Sequence, residues 1–290
     1  MRHPAEDKSD INGCWVNGMP VDSVSALDRG LHYGDGVFEI IAVKDGGIPL
    51  LNFHLERLMD GCRKLHIPVP AVAELKDELR QAAMERPHAV LKLVVTRGVG
   101  ARTYRPPHPA RQVRILLRFA WPEYPAVWVE RGVHVRICDT HLGHNSRLAG
   151  LKHLNRLEQV LAQSEWTETD DIQEGLMTDG EGSVISGTAT NVFAWLSHGV
   201  LATPSLRLCG VAGIMRRYLL ERAQQTGMQL RVATLSLAEL MKAQEIFLTN
   251  TLIGVWPVAT IGHWRYTAGP VTRQMQAWAA ECAALEKHHG

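Results

Sequence analysis

Residues 147–161 read RLAGLKHLNRLEQVL, and the lysine near the middle of this stretch, Lys152, is where the chain's organisation is best entered. The 31 basic residues divide into eight lysines and 23 arginines, so few amines are available for covalent chemistry. Lys8 and Lys287 lie near the ends, and Lys44 lies at a Asp-Gly-Gly turn. Lys64, Lys76 and Lys242 fall on segments of helical periodicity with solvated faces. Only Lys92, in AVLKLVV, and Lys152 have apolar surroundings. Lys152 follows Ala149-Gly150, a small-residue turn that lets another backbone or a ring approach. A lysine taken out of water loses basicity and becomes a nucleophile or Schiff-base former. An ordinary snorkelling lysine has the same sequence signature. On the residues alone both readings stand.

The rest of the chain narrows the field. It has 290 residues, enough for two domains and an interior site. Hydrophobic residues make up 46% and charged residues 21%, which excludes a disordered or collagen-like chain. A net charge of +1 argues against nucleic acid as a partner. No apolar run approaches the roughly 18–20 residues needed to span a bilayer. MRHPAEDKSD lacks the apolar core of a secretory signal, and Cys14, Cys62, Cys138, Cys209 and Cys282 are odd in number and far apart. Both point to a cytoplasmic protein with reduced thiols.

The pattern predicts mixed α/β (α+β) structure. Residues 1–10 are expected to be a loose tail. INGCWVNGMP predicts strand–turn–strand about Asn17-Gly18, and VFEIIAVKDGGIPLL repeats it about residues 45–47. Leu55, Leu58, Met59, Cys62 and Leu65 recur at helical spacing before Pro68 and Pro70. A second amphipathic helix is predicted over 72–85, then strands in AVLKLVVTRG and QVRILLRFA. Trp121-Pro122-Glu123-Tyr124-Pro125 breaks both periodicities, so a linker is placed at 121–127 between a smaller domain, 11–120, and a larger one, 128–290. The larger one opens with the strand VHVRICD and the helix HLNRLEQVLAQSEW. Strands follow at 174–178, 183–186, 191–196 and 200–202, a helix near 213–226, a strand, a short helix at 237–242, the strand EIFLTN and a final hairpin.

Several signals point elsewhere and are weak. RGVGAR has two glycines after a strand but no third and no following helix, so it is no dinucleotide fingerprint. Neither a phosphate-binding P-loop nor a G-x-S-x-G elbow occurs. Cys138, His141 and His144 are spaced three apart, but no fourth ligand is near; they read as loop residues rather than a metal site.

LAGLKHLNRLEQVL closely resembles the cofactor-lysine segment of the class IV (branched-chain-aminotransferase-like) pyridoxal-phosphate enzymes, in particular their lyase members. The resemblance extends from about Ile11 to the last hairpin. LDRGLHYGDGVFE (27–39), NFHLERL (52–58) and VVTRGVGARTY (94–104) resemble its N-terminal motif, arginine-bearing helix and substrate-side loop. Asn191, Phe193, Leu201, Thr203, Gly213 and Arg216 follow the class IV signature. The resemblance implies the two-domain type IV fold with pyridoxal 5'-phosphate in the cleft, usually in a homodimer. It implies that Lys152 is the Schiff-base lysine and general base, and that Arg57 pairs with the cofactor phosphate. Gly213 and Ile214 would offer the phosphate a helix N-terminus, Thr251 a hydroxyl, and Asn155, one helical turn past Lys152, a brace for the ring oxygen. Arg97, Tyr104, Arg105 and His32 would face the substrate, with Tyr33 beside them.

The implied reaction converts 4-amino-4-deoxychorismate to 4-aminobenzoate and pyruvate. The rivals are a D-amino-acid or branched-chain aminotransferase of the same fold and a non-catalytic cofactor-binding relative. One position departs from the family. Where the signature begins with a glutamate that keeps the pyridine nitrogen protonated, this chain has Ser186. A neutral hydroxyl cannot stabilise a pyridinium by charge, which favours elimination with its own aromatic driving force over transamination. Ile40 stands where some lyases of the family carry a small hydroxyl residue.

Overall fold

The computed structural model describes residues 11–84 and 86–284; the expected tail at 1–10 lies outside them. Two compact units divide the chain. The smaller comprises residues up to Pro122 together with Leu151–Asn155; the larger comprises Glu123–Gly150 and Arg156–Cys282.

In the smaller unit the order is β1 (Ile11–Val16), α1 (Arg29–Tyr33), β2 (Gly36–Lys44), α2 (Leu51–Lys64), α3 (Val72–Met84), β3 (His88–Thr96) and β4 (Val113–Phe119). The strands form an antiparallel sheet in the order β1-β4-β3-β2. Alternation along β2 sends Val37, Ile41 and Val43 to one face, where Leu55, Leu58 and Cys62 of α2 and Leu75 and Leu79 of α3 complete a core. Glu39 shares that apolar face, and Phe38 and Ile40 point the other way. The turn at Asn17-Gly18 forms with positive φ at both residues. The expected return strand after it shrinks to one bridge, Val16–Met19, because β1 takes its ladder from β4 instead.

The larger unit runs α4 (Ala126–Glu130), β5 (Val133–Ile137), α5 (Leu157–Gln163), β6 (Glu174–Thr178), β7 (Ser183–Gly187), β8 (Asn191–Leu196) and β9 (Val200–Pro204), then α6 (Ile214–Gln225), β10 (Gln229–Ala233), β11 (Leu235–Ser236), α7 (Leu237–Leu240), β12 (Glu245–Asn250), β13 (Gly254–Ile261), β14 (Trp264–Arg265) and α8 (Pro270–Ala284). Its ten-stranded sheet has the order β10-β9-β8-β12-β13-β5-β6-β7-β11, with β14 on β13. Most pairs are antiparallel; β10–β9, β13–β5 and β5–β6 are parallel. Phe193 and Phe247 stack at 5.0 Å where β8 and β12 pair.

Two further sequence expectations need correction. The helix expected from His153 begins only at Leu157. The residues before it bridge to β2 instead, at His153–Val37: the Phe38 amide donates to the Lys152 carbonyl and the Leu154 amide to the Gly36 carbonyl. Asn155 is therefore not a helical turn beyond Lys152. The chain also does not finish on a hairpin: α8 follows, with Met275, Trp278, Ala279 and Cys282 buried at helical spacing behind Pro270. No helix among the described residues is long and apolar enough to cross a membrane.

Candidate active site

Within the smaller unit, β2 carries two kinds of chemistry on its two faces. On one, Phe38 supports the lysines singled out by their apolar settings: Lys152 Nζ lies 4.3 Å from the ring centroid and Lys92 Nζ 5.8 Å. Lys152 is half-buried. The ring's negative face favours both cations, and the backbone pairing of 152 and 154 with 36 and 38 holds Lys152 over it.

On the other face, Glu39 is 1% exposed and meets two residues of α2 at i and i+3 spacing, His54 and Arg57. Arg57 grips it in a fork, Nε to Oε1 at 2.7 Å and Nη2 to Oε2 at 2.5 Å. His54, fully buried, places Nδ1 2.7 Å from Oε2. Burial alone would push the Glu39 carboxyl up, but Arg57 and His54 outweigh it and hold it down to about 2. Burial pulls His54 below its ordinary value, Arg57 and Lys152 adding to this and Glu39 opposing it. The ring is thus neutral, with Nδ1–H donating to the carboxylate. Nε2 is buried without a hydrogen-bond partner. The resemblance singles out Arg57 but neither of its partners, Glu39 and His54. A glutamate at a core-facing position of a strand was the available signal.

The expected substrate-side residues separate. Arg97 is buried, and its guanidinium donates to Asp35 through Nε and Nη2 and to the carbonyls of Leu65 and His66. Arg29 donates to the same Asp35 and to the carbonyls of Thr103 and Tyr104, and its guanidinium lies 4.7 Å from the Tyr33 ring centroid. This ties the 101–105 loop to α1. Burial would raise Asp35, yet the two arginines hold it below the usual carboxylate range. Tyr104 and Arg105 are exposed, and Tyr104 sits 5.5 Å from Tyr33. His32 Nε2 is 2.6 Å from the Ala26 carbonyl. Asn155 Nδ2 donates to the Gly34 carbonyl at 3.2 Å, where positive φ at Gly34 and the close approach of Asn155 exclude a Cβ.

In the larger unit, α6 starts at Gly213 with no side-chain cap, so its first-turn amides are available to an anion. A Cβ at Gly213 would lie 2.0 Å from Asn191 Oδ1, which accepts the Gly213 amide. Arg216 donates to Thr203 and the Pro204 carbonyl, and burial lowers its guanidinium to about 10. Thr251 follows β12 in a turn that Asn250 organises by accepting the amides of Leu252 and Ile253. Ser186, on β7, is buried and donates its hydroxyl to the Gly187 carbonyl at 2.8 Å. Its oxygen is left to accept.

Glu174 was not foreseen. It is buried on β6 and accepts from the amides of Gly175, Thr188 and Ala189 and the hydroxyls of Thr188 and Thr190. With those donors it braces the turn after Ser186. Cys138, His141 and His144 go to separate partners: Cys138 joins an apolar cluster, His141 meets Thr178 and His144 meets Asp179.

Residues 36–261 match the amino-transferase class IV family, and the chain belongs to it. It is 45% identical to a solved 4-amino-4-deoxychorismate lyase from Pseudomonas aeruginosa, with a TM-score of 0.89 over 92% of this chain and 98% of that one. It is 36% identical to the aminodeoxychorismate lyase of Vibrio harveyi over 90% of this chain and 97% of that protein. A putative branched-chain-amino-acid aminotransferase of Methanocaldococcus jannaschii is 31% identical over 85% of this chain and 87% of that protein. The family expectation drawn from the lysine segment is thereby met.

Proposed function

We propose that the protein is a pyridoxal-phosphate-dependent lyase that converts 4-amino-4-deoxychorismate to 4-aminobenzoate and pyruvate, the activity that names its Pseudomonas and Vibrio relatives. The observation that carries this reading is Lys152, half-buried, its ammonium over Phe38 and its backbone held on β2. The smaller unit's residues suit the cofactor, an amine for its aldehyde and the forked Arg57 for its phosphate, and in the larger unit the uncapped start of α6 is of a kind that suits a phosphate. By the family resemblance, Gly213, Ile214 and Thr251 would contact the phosphate, Asn155 would brace the ring oxygen and Ser186 would meet the ring nitrogen.

When bound, pyridoxal phosphate supplies an electron sink to the substrate carbon that bears the amine. Lys152 anchors it and, once released, takes the proton from that carbon as general base. The electron pair so freed expels the enolpyruvyl oxygen from the neighbouring ring carbon. The ring gains aromaticity, and enolpyruvate becomes pyruvate on taking up a proton. His32, Tyr104 and Arg105 face the substrate's carboxylates; Arg29 holds the loop that presents Tyr104 and Arg105, and Arg97 acts only through Asp35, the carboxylate it shares with Arg29.

The protein works as a homodimer in the cytoplasm. Leu27, Leu31, Val99 and Tyr104 form an exposed, largely apolar surface on two segments joined by the Asp28–Val99 bridge, which supports a second copy as its cover. The aminotransferase reading rests on the Methanocaldococcus relative, and Ser186 weighs against it. The test is pyruvate release from freshly made 4-amino-4-deoxychorismate. The parent releases pyruvate and Lys152→Ala releases none; a cofactor-loaded parent that releases none sinks the reading.

A further inference from the structure

We infer that Glu39 is a positioning residue: its carboxylate, held in turn by His54, fixes the Arg57 guanidinium in the orientation in which it meets a phosphate. This rests on the reading of Arg57 as the phosphate arginine. The first support is placement. Glu39 lies between Val37 and Ile41 on the core face of β2, where all three are almost wholly buried. A lone carboxylate there is strongly disfavoured, and an apolar side chain would serve packing as well or better. The charge therefore serves its partners.

The second support is geometry. A guanidinium is flat and rigid, so engaging Nε and Nη2 on the two carboxylate oxygens sets its plane and turns its Nη1 edge away from Glu39. The third is His54. It spends Nδ1 on Oε2, the oxygen that also receives Arg57 Nη2, while Nε2 stays buried and unsatisfied. An incompletely satisfied imidazole is tolerated here where a satisfied side chain could have stood, and what it secures is the carboxylate.

Charge and orientation make opposite predictions. Glu39 cancels the charge of Arg57, so if attraction were the whole matter, removing the carboxylate's charge would tighten binding of a phosphate dianion. If Glu39 positions Arg57, removal weakens it. The full chain freed of cofactor is titrated with pyridoxal 5'-phosphate and, separately, with pyridoxal, which lacks the phosphate. Glu39→Gln is expected to weaken pyridoxal phosphate about tenfold to a hundredfold, the range of a lost hydrogen bond to a charged group. Pyridoxal affinity should stay at the parent value.

His54→Leu should reproduce this loss, and His54→Asn, whose amide nitrogen stands where Nδ1 stood, should keep the parent ratio. That pair decides the question even if Glu39→Gln does not fold. Unchanged or tighter pyridoxal phosphate binding in Glu39→Gln, or equal weakening of both ligands, overturns the inference. Arg57→Ala separates the two layers: if it leaves the ratio untouched, the reading of Arg57 has failed, whereas its loss beside an intact Glu39→Gln ratio refutes Glu39 alone.

Discussion

Removing Asp35 should cost the smaller unit about 10 °C of thermal stability. The carboxylate is 12% exposed and serves two guanidiniums that are 4% and 6% exposed. Arg29 Nε donates at 2.8 Å, and Arg97 Nε and Nη2 donate at 2.7 and 2.9 Å. Asp35→Ala leaves two buried cations facing each other without their counter-charge. Breaking a buried pair costs about 3–5 kcal/mol. Both arginines keep carbonyl partners, at Leu65 and His66 and at Thr103 and Tyr104, which places the loss near 3 kcal/mol. For a unit of this size that is about 3–4 °C per kcal/mol.

Calorimetry of the cofactor-loaded protein is the assay, with each transition fitted separately because the chain has two units. Adding Arg97→Met to Asp35→Ala should recover part of the loss, since one stranded charge is gone. A shift below about 2 °C would mean that water reaches both guanidiniums in the variant, and the argument from burial would be wrong.

Two further expectations follow. Glu39 is held down to about 2 from an ordinary value of 4.5, so its stabilisation is complete above about 4.5 and drains away as pH falls towards 2. Urea midpoints of the parent should drop through that window, while those of Glu39→Gln should be flatter; equal slopes would contradict the assignment. Ser186→Glu restores a carboxylate at the start of the signature, and the ratio of transamination to elimination should rise; an unmoved ratio would remove Ser186 from the account of reaction choice.

Local signals in the chain were read well where local forces decide. Asn17-Gly18 and Asp45-Gly46 adopt the positive φ that their composition favours, and the apolar spacing of α2 and α3 marks the faces that are buried. HLNRLEQVL has helical periodicity from His153, yet its first residues bridge to β2 instead. There a long-range partner, the edge of β2, competes for the same backbone groups and wins. The ends of α8 carry readable signals, Pro270 and the spacing of Met275, Trp278 and Cys282, that an Ala-rich stretch after a hairpin obscured.

At the site, chemistry was legible and partnership was not. Lys152 and Lys92 stood out by their apolar neighbours, but nothing local says that both meet Phe38. Arg97 looked like a ligand residue because basic loops often are; its burial against Asp35 is a tertiary fact. Glu39 and His54 are separated by 15 positions, and only the packing of α2 on β2 makes them one group with Arg57.

The pairing of Lys152 and Leu154 with Gly36 and Phe38 also has a meaning for how the chain is made. β2 is an edge strand, and unpaired backbone at a sheet edge invites association with other chains. On the ribosome, residues 36–38 emerge long before residues 152–154, so that edge must wait through the synthesis of the rest of its own unit and the opening strand of the next. The reactive lysine is thus also a late suture, and a nascent chain stalled before it leaves a sheet that is open to the wrong neighbour.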